Sequence, residues 1–328
     1  MTILITGGTG LLGQELIRQL QNDGSYRILC LSRNAPNTHN KANKVDYILG
    51  DILNYPKLLE AIEGVDIVIH TAAMVSFNRK DTAKLYEINV TGTENVVNAC
   101  LEKKTKKLIH ISSVAAIGKS ETKLPAGEIV TVDENTKWVN SPNHSEYGKS
   151  KHLAELEVYR GQAEGLNTII INPSVILGEA DWTKSSTRLF KYIYDKNLFY
   201  TEGYINYVDV RDVSKMILKL TKSNHSGERF IANSGSTSFK EFFTTIASSF
   251  KVKPPSIKIG KIGSEILWRI ESLRSFITGS DPLITKDTSV TAQRRIYFDS
   301  SKSKAMLEIE FTELETTVKR VSNYLMPS

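Results

Sequence analysis

Long hydrophobic runs are missing from this chain, since no apolar stretch approaches the ~20 residues that cross a bilayer. Cysteine is scarce as well, because only Cys30 and Cys100 occur among 328 residues. Both lie in apolar-rich stretches, which favours buried thiols over a disulfide framework. We also expect no cleaved leader before the first strand. These absences predict a cytoplasmic protein without a membrane partner.

Charge of one sign is not concentrated either. The 42 Lys and Arg residues exceed the 36 Asp and Glu residues by six, and they are spread along the chain. The densest basic group, Lys103-Lys104 and Lys106-Lys107, lies where a predicted helix ends before a strand, and cations favour that end of the helix dipole. We interpret it as a solvated helix end and expect no nucleic-acid partner, whereas the mild positive excess suits an anionic cofactor.

Glycines are concentrated after the first predicted strand. The apolar, β-branched run Thr2–Thr6 leads into Gly7, Gly10 and Gly13, and apolar residues then recur at helical spacing over 11–21. Glycine lets the backbone approach a pyrophosphate, and the helix start offers free N–H groups and a positive dipole end. The pattern predicts a dinucleotide-binding turn; the alternative is a tight turn without a ligand.

Strand and helix signals alternate for about 170 residues and predict an α/β fold, a doubly wound parallel (Rossmann) sheet. The strand candidates after the first are Tyr26–Leu31, Val45–Leu49, Ile67–His70, Lys107–Ser112 and Thr168–Ile171, and the helix candidates lie near 55–63, 82–103 and 146–164.

Beyond Pro173 the alternation breaks down. The stretches Tyr204–Val208, Asp209–Lys222 and Glu228–Ala232 read as strand, helix and strand, and further helices are predicted near 185–195, 239–250, 262–277 and 313–325. We predict a dinucleotide-binding domain of residues 1–172 plus about 204–233. Residues 173–203 plus 234–328 are predicted to form a smaller mixed α/β substrate domain.

The sharpest chemical signal is the pair Tyr147 and Lys151, which lie four residues apart and therefore on one helix face. A tyrosine hydroxyl has a pKa of ~10, and a lysine ammonium one turn away would lower it towards the range useful for proton transfer. Ser113 follows a strand at the carboxyl edge of the predicted sheet, where ligands bind. Asn89 is a polar residue in an otherwise buried-looking helix.

These features occur together with further motifs, and the chain resembles an extended short-chain dehydrogenase/reductase over essentially its whole length. Within that family it is most similar to the dihydroflavonol 4-reductase-like and 3β-hydroxysteroid dehydrogenase-like branch. In chain order the motifs are Thr6-Gly-Gly-Thr-Gly-Leu-Leu-Gly13, Gly50-Asp51, His70-Thr-Ala-Ala73, Asn89-Val-Thr-Gly-Thr93, Ile111-Ser-Ser-Val-Ala-Ala-Ile-Gly118, Tyr147-Gly-Lys-Ser-Lys151 and Pro173-Ser-Val-Ile-Leu-Gly178.

The resemblance implies catalytic roles for four residues. Tyr147 would be the general acid in ketone reduction, and Lys151 would lower its pKa and hold the nicotinamide ribose. Ser113 would hydrogen-bond the substrate oxygen, with the adjacent Ser112 as the alternative. Asn89 would support the helix or a proton-relay water rather than touch substrate.

The resemblance also implies a nicotinamide dinucleotide cofactor. Asp51 has a second interpretation, as an N-cap for the following segment. The residues that would bind the cofactor are Gly7, Thr9, Gly10, Leu11, Leu12, Gly13, Ser32, Arg33, Asp51, Ile52, Thr71, Ala72, Ala73, Tyr147, Lys151, Pro173 and Val175.

The end of the second strand favours NADP(H) over NAD(H). An acidic residue there would bind a free 2′-hydroxyl and repel a 2′-phosphate, but this chain has Ser32 and Arg33 instead. An arginine can pair with phosphate, although Arg33 as a solvated loop residue is the alternative. Asn172 replaces the arginine that often precedes Pro173 in the family. His70 has no partner at metal-ligand spacing, so no metal is expected.

The predicted function is the NADP(H)-dependent reduction of a ketone or aldehyde on a small, moderately apolar molecule, or the reverse oxidation. Val75, Phe77, Tyr204 and Trp182 are candidate pocket residues, with core packing as the alternative. An NAD-dependent nucleotide-sugar epimerase and a non-catalytic dinucleotide-sensing regulator are the alternative functions.

Relatives often dimerise through four helices, which the helices near 82–103 and 146–164 could provide here. The substrate itself is not predicted.

Overall fold

The computed structural model describes residues 1–34, 45–118, 129–141, 144–184, 186–260, 263 and 294–326. The predicted helix over 262–277 lies outside these residues except for Gly263. Among the described residues no helix is long and apolar enough to cross a membrane. Cys30 and Cys100 are buried free thiols, which confirms the interpretation of the two cysteines.

Strands and helices alternate through the first half of the chain as predicted. The strands are β1 Thr2–Thr6, β2 Arg27–Ser32, β3 Val45–Leu49, β4 Ile67–His70, β5 Lys107–Ile111, β6 Val130–Val132, β7 Thr168–Pro173, β8 Val175–Leu177, β9 Phe199–Thr201, β10 Tyr204–Asp209, β11 Glu228–Ala232, β12 Gly235–Ser238, β13 Ile257–Ile259 and β14 Ile296–Phe298. The α-helices are α1 Leu11–Asp23, α2 Tyr55–Ile62, α3 Thr82–Tyr86, α4 Gly92–Glu102, α5 Glu146–Ala163, α6 Thr187–Tyr194, α7 Val210–Lys222, α8 Phe239–Phe250, α9 Ser301–Leu307 and α10 Leu314–Leu325.

Seven parallel strands form the main sheet in the order β11-β7-β5-β4-β1-β2-β3, which confirms the doubly wound fold. Apolar residues fill both faces of the sheet because helices cover each side. Helices α1 and α7 pack on one face, and α2, α4 and α5 pack on the other. The strand order reverses between β1 and β4, so the crevice where such sheets bind ligands lies at the carboxyl ends of these two strands.

A smaller sheet is built from β12, β10 and β8. Strand β10, which the sequence analysis grouped with the dinucleotide-binding domain, runs parallel to β8 and antiparallel to β12. Helix α7 packs on the large sheet, and β11 is an edge strand of that sheet. The boundaries given for the two domains remain a prediction.

Beside the smaller sheet lies a core that we call the aromatic cluster. Two of its members, Phe190 and Phe242, are fully buried, and Trp182 is a partly buried member. The Trp182 ring lies 5.0 Å from that of Tyr194 and 5.8 Å from that of Phe250. The aromatic cluster is formed by Phe190, Phe242, Phe243 and Phe250 with Trp182, Tyr192, Leu177, Ile193, Ile205, Ile246, Leu314, Val318, Val321 and Leu325.

The predicted helix over 82–103 is helical from Thr82 to Glu102 and includes a π-helical turn. A π-helical segment, Glu87–Thr91, separates α3 from α4 and contains the buried Asn89. A π turn inserts one extra residue, which a simple 3.6-residue periodicity does not reveal, and such turns are frequent at functional sites. The short strands β6, β8, β9, β12, β13 and β14 were also not predicted, because segments of three or four residues carry little periodicity.

Candidate active site

The glycine turn forms a close-packed cradle at the end of β1. Gly7 has a φ of +77°, and a Cβ atom at this position would lie 2.6 Å from the backbone nitrogen of Ala72. Its carbonyl accepts a hydrogen bond from the Gly10 N–H at 3.0 Å. Gly10 is the N-cap of α1, which has no side-chain cap and no acidic residue in its first turn. The helix therefore presents free N–H groups at the crevice, which suits an anionic group.

The other turn residues divide between surface and core. Thr9 and Gly10 are exposed, whereas Leu12 is buried in the core beneath the sheet and Leu11 packs against it. A Cβ on Gly13 would collide with the backbone of Gly7 and Gly8. Leu12 therefore fits a packing role, while the exposed backbone of the turn is the part that a ligand can reach.

The end of β4 is tied to the end of β1. The Thr71 hydroxyl donates to the Thr6 carbonyl at 2.7 Å, and the Ala72 N–H donates to the Thr6 hydroxyl at 3.4 Å. Thr71 and Ala72 are half-buried and Ala73 is exposed, so this segment lines the crevice opposite the glycine turn.

Residues after β2 and β3 lie further along the same edge of the sheet. Ser32 donates its hydroxyl to the Asn34 carbonyl at 2.7 Å, and Arg33 is exposed. Asp51 Oδ1 accepts the Leu53 N–H at 3.0 Å. Asp51 thus caps the turn that follows it, whereas Asn54 is the N-cap of α2.

Ile52 is buried beneath the same edge. Its side chain faces Gly92, where a Cβ would lie 2.5 Å from Ile52 Cδ1. The Ile52 carbonyl accepts a hydrogen bond from Asn95 at 3.0 Å. These contacts fix the backbone between β3 and α2 against α4.

Tyr147 and Ser113 are brought together at the carboxyl edge of β5. A glycine at position 148 lets α5 approach the turn after β5, because a Cβ there would lie 2.8 Å from the Ala115 carbonyl oxygen. Burial raises the pKa of Tyr147, and the neighbouring Ser113 hydroxyl opposes that rise. The Ser113 hydroxyl accepts a hydrogen bond from the Ala115 N–H at 3.1 Å. The hydroxyl of Ser112 is buried and has no hydrogen-bond partner among the described residues.

Lys151 is almost completely buried one turn further along α5. Its ammonium donates to the Ile111 carbonyl at 2.9 Å and lies 3.4 Å from His110 Nε2. Burial lowers the pKa of Lys151 to about 8, and the nearby Glu155 carboxylate opposes this effect. Burial dominates the pKa of Tyr147 in this arrangement, and the predicted lowering by Lys151 together with a nicotinamide cation stays a prediction.

Two histidines lie side by side beneath Lys151. His70 and His110 occupy paired positions on β4 and β5, and their ring centroids are 5.2 Å apart. Burial first, and the charge of Lys151 second, lowers the pKa of His70 to about 3 and that of His110 well below its usual value. Sequence spacing could not show this neighbour of His70, since the two residues are 40 positions apart. Among the described residues no group of three or more potential ligands is placed to hold a metal ion.

Asn89 connects the π-helical segment to its surroundings. Its amide accepts from the Met74 N–H at 2.7 Å and donates to the Met74 carbonyl at 2.9 Å. The same nitrogen donates to the Ser150 hydroxyl at 3.0 Å, which in turn donates to the Tyr147 carbonyl at 2.8 Å. These contacts account for a supporting role; the catalytic role of Asn89 remains a prediction.

A second polar network lies behind Ser113. The Asn172 amide nitrogen donates to the Ser113 carbonyl at 2.8 Å and to Glu155 Oε1 at 2.6 Å. Glu155 is fully buried and its other oxygen pairs with Arg229 of β11. Sequence reasoning missed Glu155, although its position four residues after Lys151 and eight after Tyr147 could have revealed it. The buried polar cluster comprises His70, Asn89, His110, Lys151, Glu155 and Asn172.

Tyr147 packs against an aromatic ring, and further exposed hydrophobic residues follow β4 and open β8. The Phe77 ring stands edge-on to the Tyr147 ring at 5.8 Å between centroids. Phe77 is 37% exposed, Val75 64% and Val175 39%, although all three are hydrophobic. Val175 opens β8 directly after Ser174, and Pro173 ends β7 as a buried residue.

The remaining pocket candidates lie elsewhere. Trp182 packs on the aromatic cluster, as the packing alternative predicted. Tyr204 is the first residue of β10, and the Arg295 guanidinium carbon lies 5.8 Å from the centroid of its ring.

Comparison with known proteins agrees with this geometry. The sequence model that describes the 3-beta hydroxysteroid dehydrogenase/isomerase family matches residues 4–259 of this chain. A protein of Synechocystis sp. that is provisionally named dihydroflavonol 4-reductase is 27% identical over 308 residues, covering 91% of this chain and 87% of that protein.

Solved structures share the whole architecture. The crystal structure of gox2253 has a TM-score of 0.81 and 27% identity, covering 98% of this chain and 97% of that one. The UDP-glucuronic acid 4-epimerase of Bacillus cereus in complex with NAD has a TM-score of 0.75 at 17% identity, covering 99% and 98%, and at that identity it shows the fold alone. The chain therefore belongs to the 3-beta hydroxysteroid dehydrogenase/isomerase family of extended short-chain dehydrogenases/reductases, and it is an NAD(P)-dependent enzyme that acts on CH–OH groups.

Proposed function

We propose that the enzyme uses NADP(H) to reduce a ketone or aldehyde of a small, moderately apolar molecule, or to oxidise the corresponding alcohol. The observation that carries this proposal is that Tyr147 lies beside the Ser113 hydroxyl and packs against the exposed ring of Phe77. The hydroxyl pair suits a carbonyl oxygen, and the hydrophobic ring suits an apolar body attached to it.

Each polar side chain has a role in this proposal. Tyr147 donates a proton to the substrate oxygen, or accepts it in the reverse direction, and Ser113 orients that oxygen by a hydrogen bond. Lys151 contributes a positive charge that favours the phenolate and, with the cofactor present, binds the ribose hydroxyls. Asn89 supports α5 through Ser150 and serves the proton path from the buried side.

The cradle around Gly7 fits a dinucleotide, because a side chain there would occupy the space against Ala72 and α1 begins with free N–H groups. The cofactor, when bound, supplies the hydride. Its pyrophosphate would lie on Gly7, Thr9, Gly10, Leu11, Leu12 and Gly13, its adenosine near Ser32, Arg33, Asp51 and Ile52, and its nicotinamide half near Thr71, Ala72, Ala73, Tyr147, Lys151, Pro173 and Val175.

The preference for NADP(H) rests on the exposed Arg33. Its guanidinium can pair with a 2′-phosphate, and the described residue before it, Ser32, carries no charge that would repel that phosphate. We expect Arg33→Ala to weaken NADP⁺ binding about 10-fold and to leave NAD⁺ binding within about twofold, since one charge-assisted hydrogen bond is lost. Arg27→Ala, at the opposite end of β2, is the matched control because Arg27 forms a surface pair with Asp46.

Two titrations test the proposal as a whole. Nucleotide-stripped protein is titrated calorimetrically with NADP⁺ and with NAD⁺, and any co-purifying nucleotide is identified. Exchangeable binding that prefers NADP⁺ supports the reductase. Tightly retained NAD would instead favour the nucleotide-sugar epimerase alternative, and binding of neither would contradict the cofactor assignment.

The chemical step is tested with Tyr147→Phe, and Tyr55→Phe is the control because Tyr55 is a half-buried tyrosine of α2 whose hydroxyl donates to Glu102. Loss of the general acid is expected to lower kcat for ketone reduction by about 10³-fold while cofactor affinity is kept. Turnover by Tyr147→Phe at the wild-type rate would exclude the assigned role.

We also propose a cytoplasmic homodimer. Leu153, Leu156 and Tyr159 of α5 are exposed hydrophobic side chains on the helix that the sequence analysis assigned to a dimer face. Light scattering at micromolar concentration tests this, and Leu156→Lys is expected to shift a dimer towards monomer because it buries a charge at the contact.

A further inference from the structure

Helix α5 carries three functional groups on one face. Tyr147, Lys151 and Glu155 follow each other at intervals of four residues, so their side chains project in the same direction one turn apart. The first two belong to the proposed chemistry. Glu155 is as fully buried as Lys151, yet a carboxylate rarely lies in a protein interior without a specific partner or purpose.

The contacts of Glu155 lead in two directions. One oxygen accepts a hydrogen bond from Asn172 at 2.6 Å, and the same Asn172 nitrogen holds the Ser113 carbonyl at 2.8 Å. The other oxygen pairs with Arg229, whose guanidinium also lies over the Tyr159 ring at 5.6 Å. The carboxylate is therefore connected to the backbone of the serine that faces Tyr147.

The electrostatic surroundings of Lys151 give Glu155 a second role. The ionisable groups that face Lys151 are His110 of β5, His70 of β4, and Tyr147 and Glu155 of α5. Burial keeps both histidines and the phenol uncharged near neutral pH, since the pKa of each histidine is lowered and that of Tyr147 is raised. The Glu155 carboxylate is the charge that favours the ammonium form of Lys151.

We propose that Glu155 is a positioning residue that sustains the positive charge of Lys151 and, through Asn172, holds the Ser113 backbone against Tyr147. This inference deepens the proposed function and rests on it. Arg229 balances the charge of Glu155 from the opposite side and takes no part in the proton transfer.

The first test reads Lys151 directly and needs no turnover. Protein labelled with ¹³Cε-lysine and free of cofactor is titrated from pH 6 to 11 by NMR, and the Lys151 signal is assigned by its absence from Lys151→Met. We expect Glu155→Gln to lower the Lys151 midpoint by about one pH unit, because a nearby opposite charge is removed. The upper limb of the pH profile of kcat, measured with any accepted ketone, should move to lower pH by the same amount.

A double variant separates this role from a merely structural one. Glu155→Gln leaves Arg229 without its carboxylate, so this variant is expected to be less stable. In Glu155→Gln/Arg229→Gln both charges are absent, and the stability should recover while the Lys151 midpoint stays lowered. Glu157→Gln is the matched control, since Glu157 lies on the same helix and pairs with Arg160 outside the network.

The outcomes decide the proposal in either direction. A midpoint that stays at the wild-type value in folded Glu155→Gln, or one that returns to it in the double variant, would overturn the role of Glu155. Failure of both variants to fold would assign Glu155 to stability alone and would also overturn it. Absence of turnover with every ketone would contradict the proposed function and leave the NMR result for Lys151 intact.

Discussion

The buried polar cluster beneath Tyr147 and the aromatic cluster beside the smaller sheet are equally removed from solvent, yet different forces hold them together. In the first, Lys151, Glu155 and Asn172 are buried with specific partners. In the second, side chains such as Phe190 and Phe242 are fully buried among other hydrocarbon groups. Burial of hydrocarbon stabilises the fold, whereas burial of charge opposes it unless each group is paired.

Buried polar atoms without a hydrogen-bond partner occur in several parts of the described fold, and four of them belong to β5, β7 and the residues directly after these strands. Ser112 Oγ, His110 Nδ1, Asn172 Oδ1 and Ser174 Oγ are buried and have no hydrogen-bond partner among the described residues. Each such atom costs about 1–3 kcal/mol of stability. The comparison indicates that stability is supplied by regions such as the aromatic cluster, while the carboxyl edge of the large sheet keeps costly groups in place for function.

The largest effect is expected from the aromatic cluster. Phe242→Ala should lower the free energy of unfolding by about 3–5 kcal/mol, because it removes a fully buried ring and leaves a cavity. Tyr324→Ala on the neighbouring α10 is the control, since Tyr324 is largely exposed. Urea denaturation measures both variants, and a loss below about 1 kcal/mol for Phe242→Ala would place the stabilising core elsewhere.

Lys151 of the buried polar cluster, unlike Phe242, should lower the stability of the fold while its ammonium is charged. Its pKa of about 8 in the folded chain lies below the ordinary value of 10.5. The folded state therefore binds fewer protons than the unfolded state between these values, and stability rises with pH there by about 3 kcal/mol. Below pH 8 the unfavourable contribution is fully present.

Lys151→Met removes this dependence. Denaturation of cofactor-free protein at pH 7 to 10.5 should show that the wild-type chain gains stability relative to Lys151→Met as pH rises. Parallel curves for the two proteins would mean that the Lys151 ammonium is not held at a cost in the folded state.

A smaller effect distinguishes the two neighbouring serines. Ser113→Ala should lower kcat about 10²-fold, since a group that stabilises charge on the substrate oxygen is lost. Ser112→Ala should leave kcat within about twofold, because its hydroxyl is buried without a partner among the described residues. Steady-state rates with one ketone compare the pair, and equal losses would argue against the assignment of Ser113.

The smallest expected effect concerns the glycine turn. Gly7→Ala should weaken dinucleotide binding about 10-fold, because its Cβ would press on Ala72 and displace the cradle. Gly24→Ala is matched to it, with a φ of +71° but no described atom within 4 Å of the added Cβ. This control should lose about 1 kcal/mol of stability and keep its affinity. Equal affinities of the two variants would remove the cradle from the binding site.

Local signals accounted for much of this protein. Apolar runs bounded by glycine and polar residues located strands such as β4 at their observed bounds, since a strand buried on both faces must be continuously hydrophobic. The spacing of Tyr147 and Lys151 predicted their shared helix face, because an α-helix repeats every 3.6 residues. Such features depend on neighbours in the chain, so the sequence alone could determine them.

Contacts between distant segments were decided only by the tertiary structure. His110 packs against His70, β10 pairs with β8 in the smaller sheet, and a polar path leads from Ser113 through Asn172 to Glu155 and Arg229. Each of these arrangements joins residues that are more than 30 positions apart in at least one step. The same holds for the charge state of Lys151, which depends on burial by several elements at once. No periodicity encodes such contacts, because they arise when strands and helices from separate parts of the chain pack together.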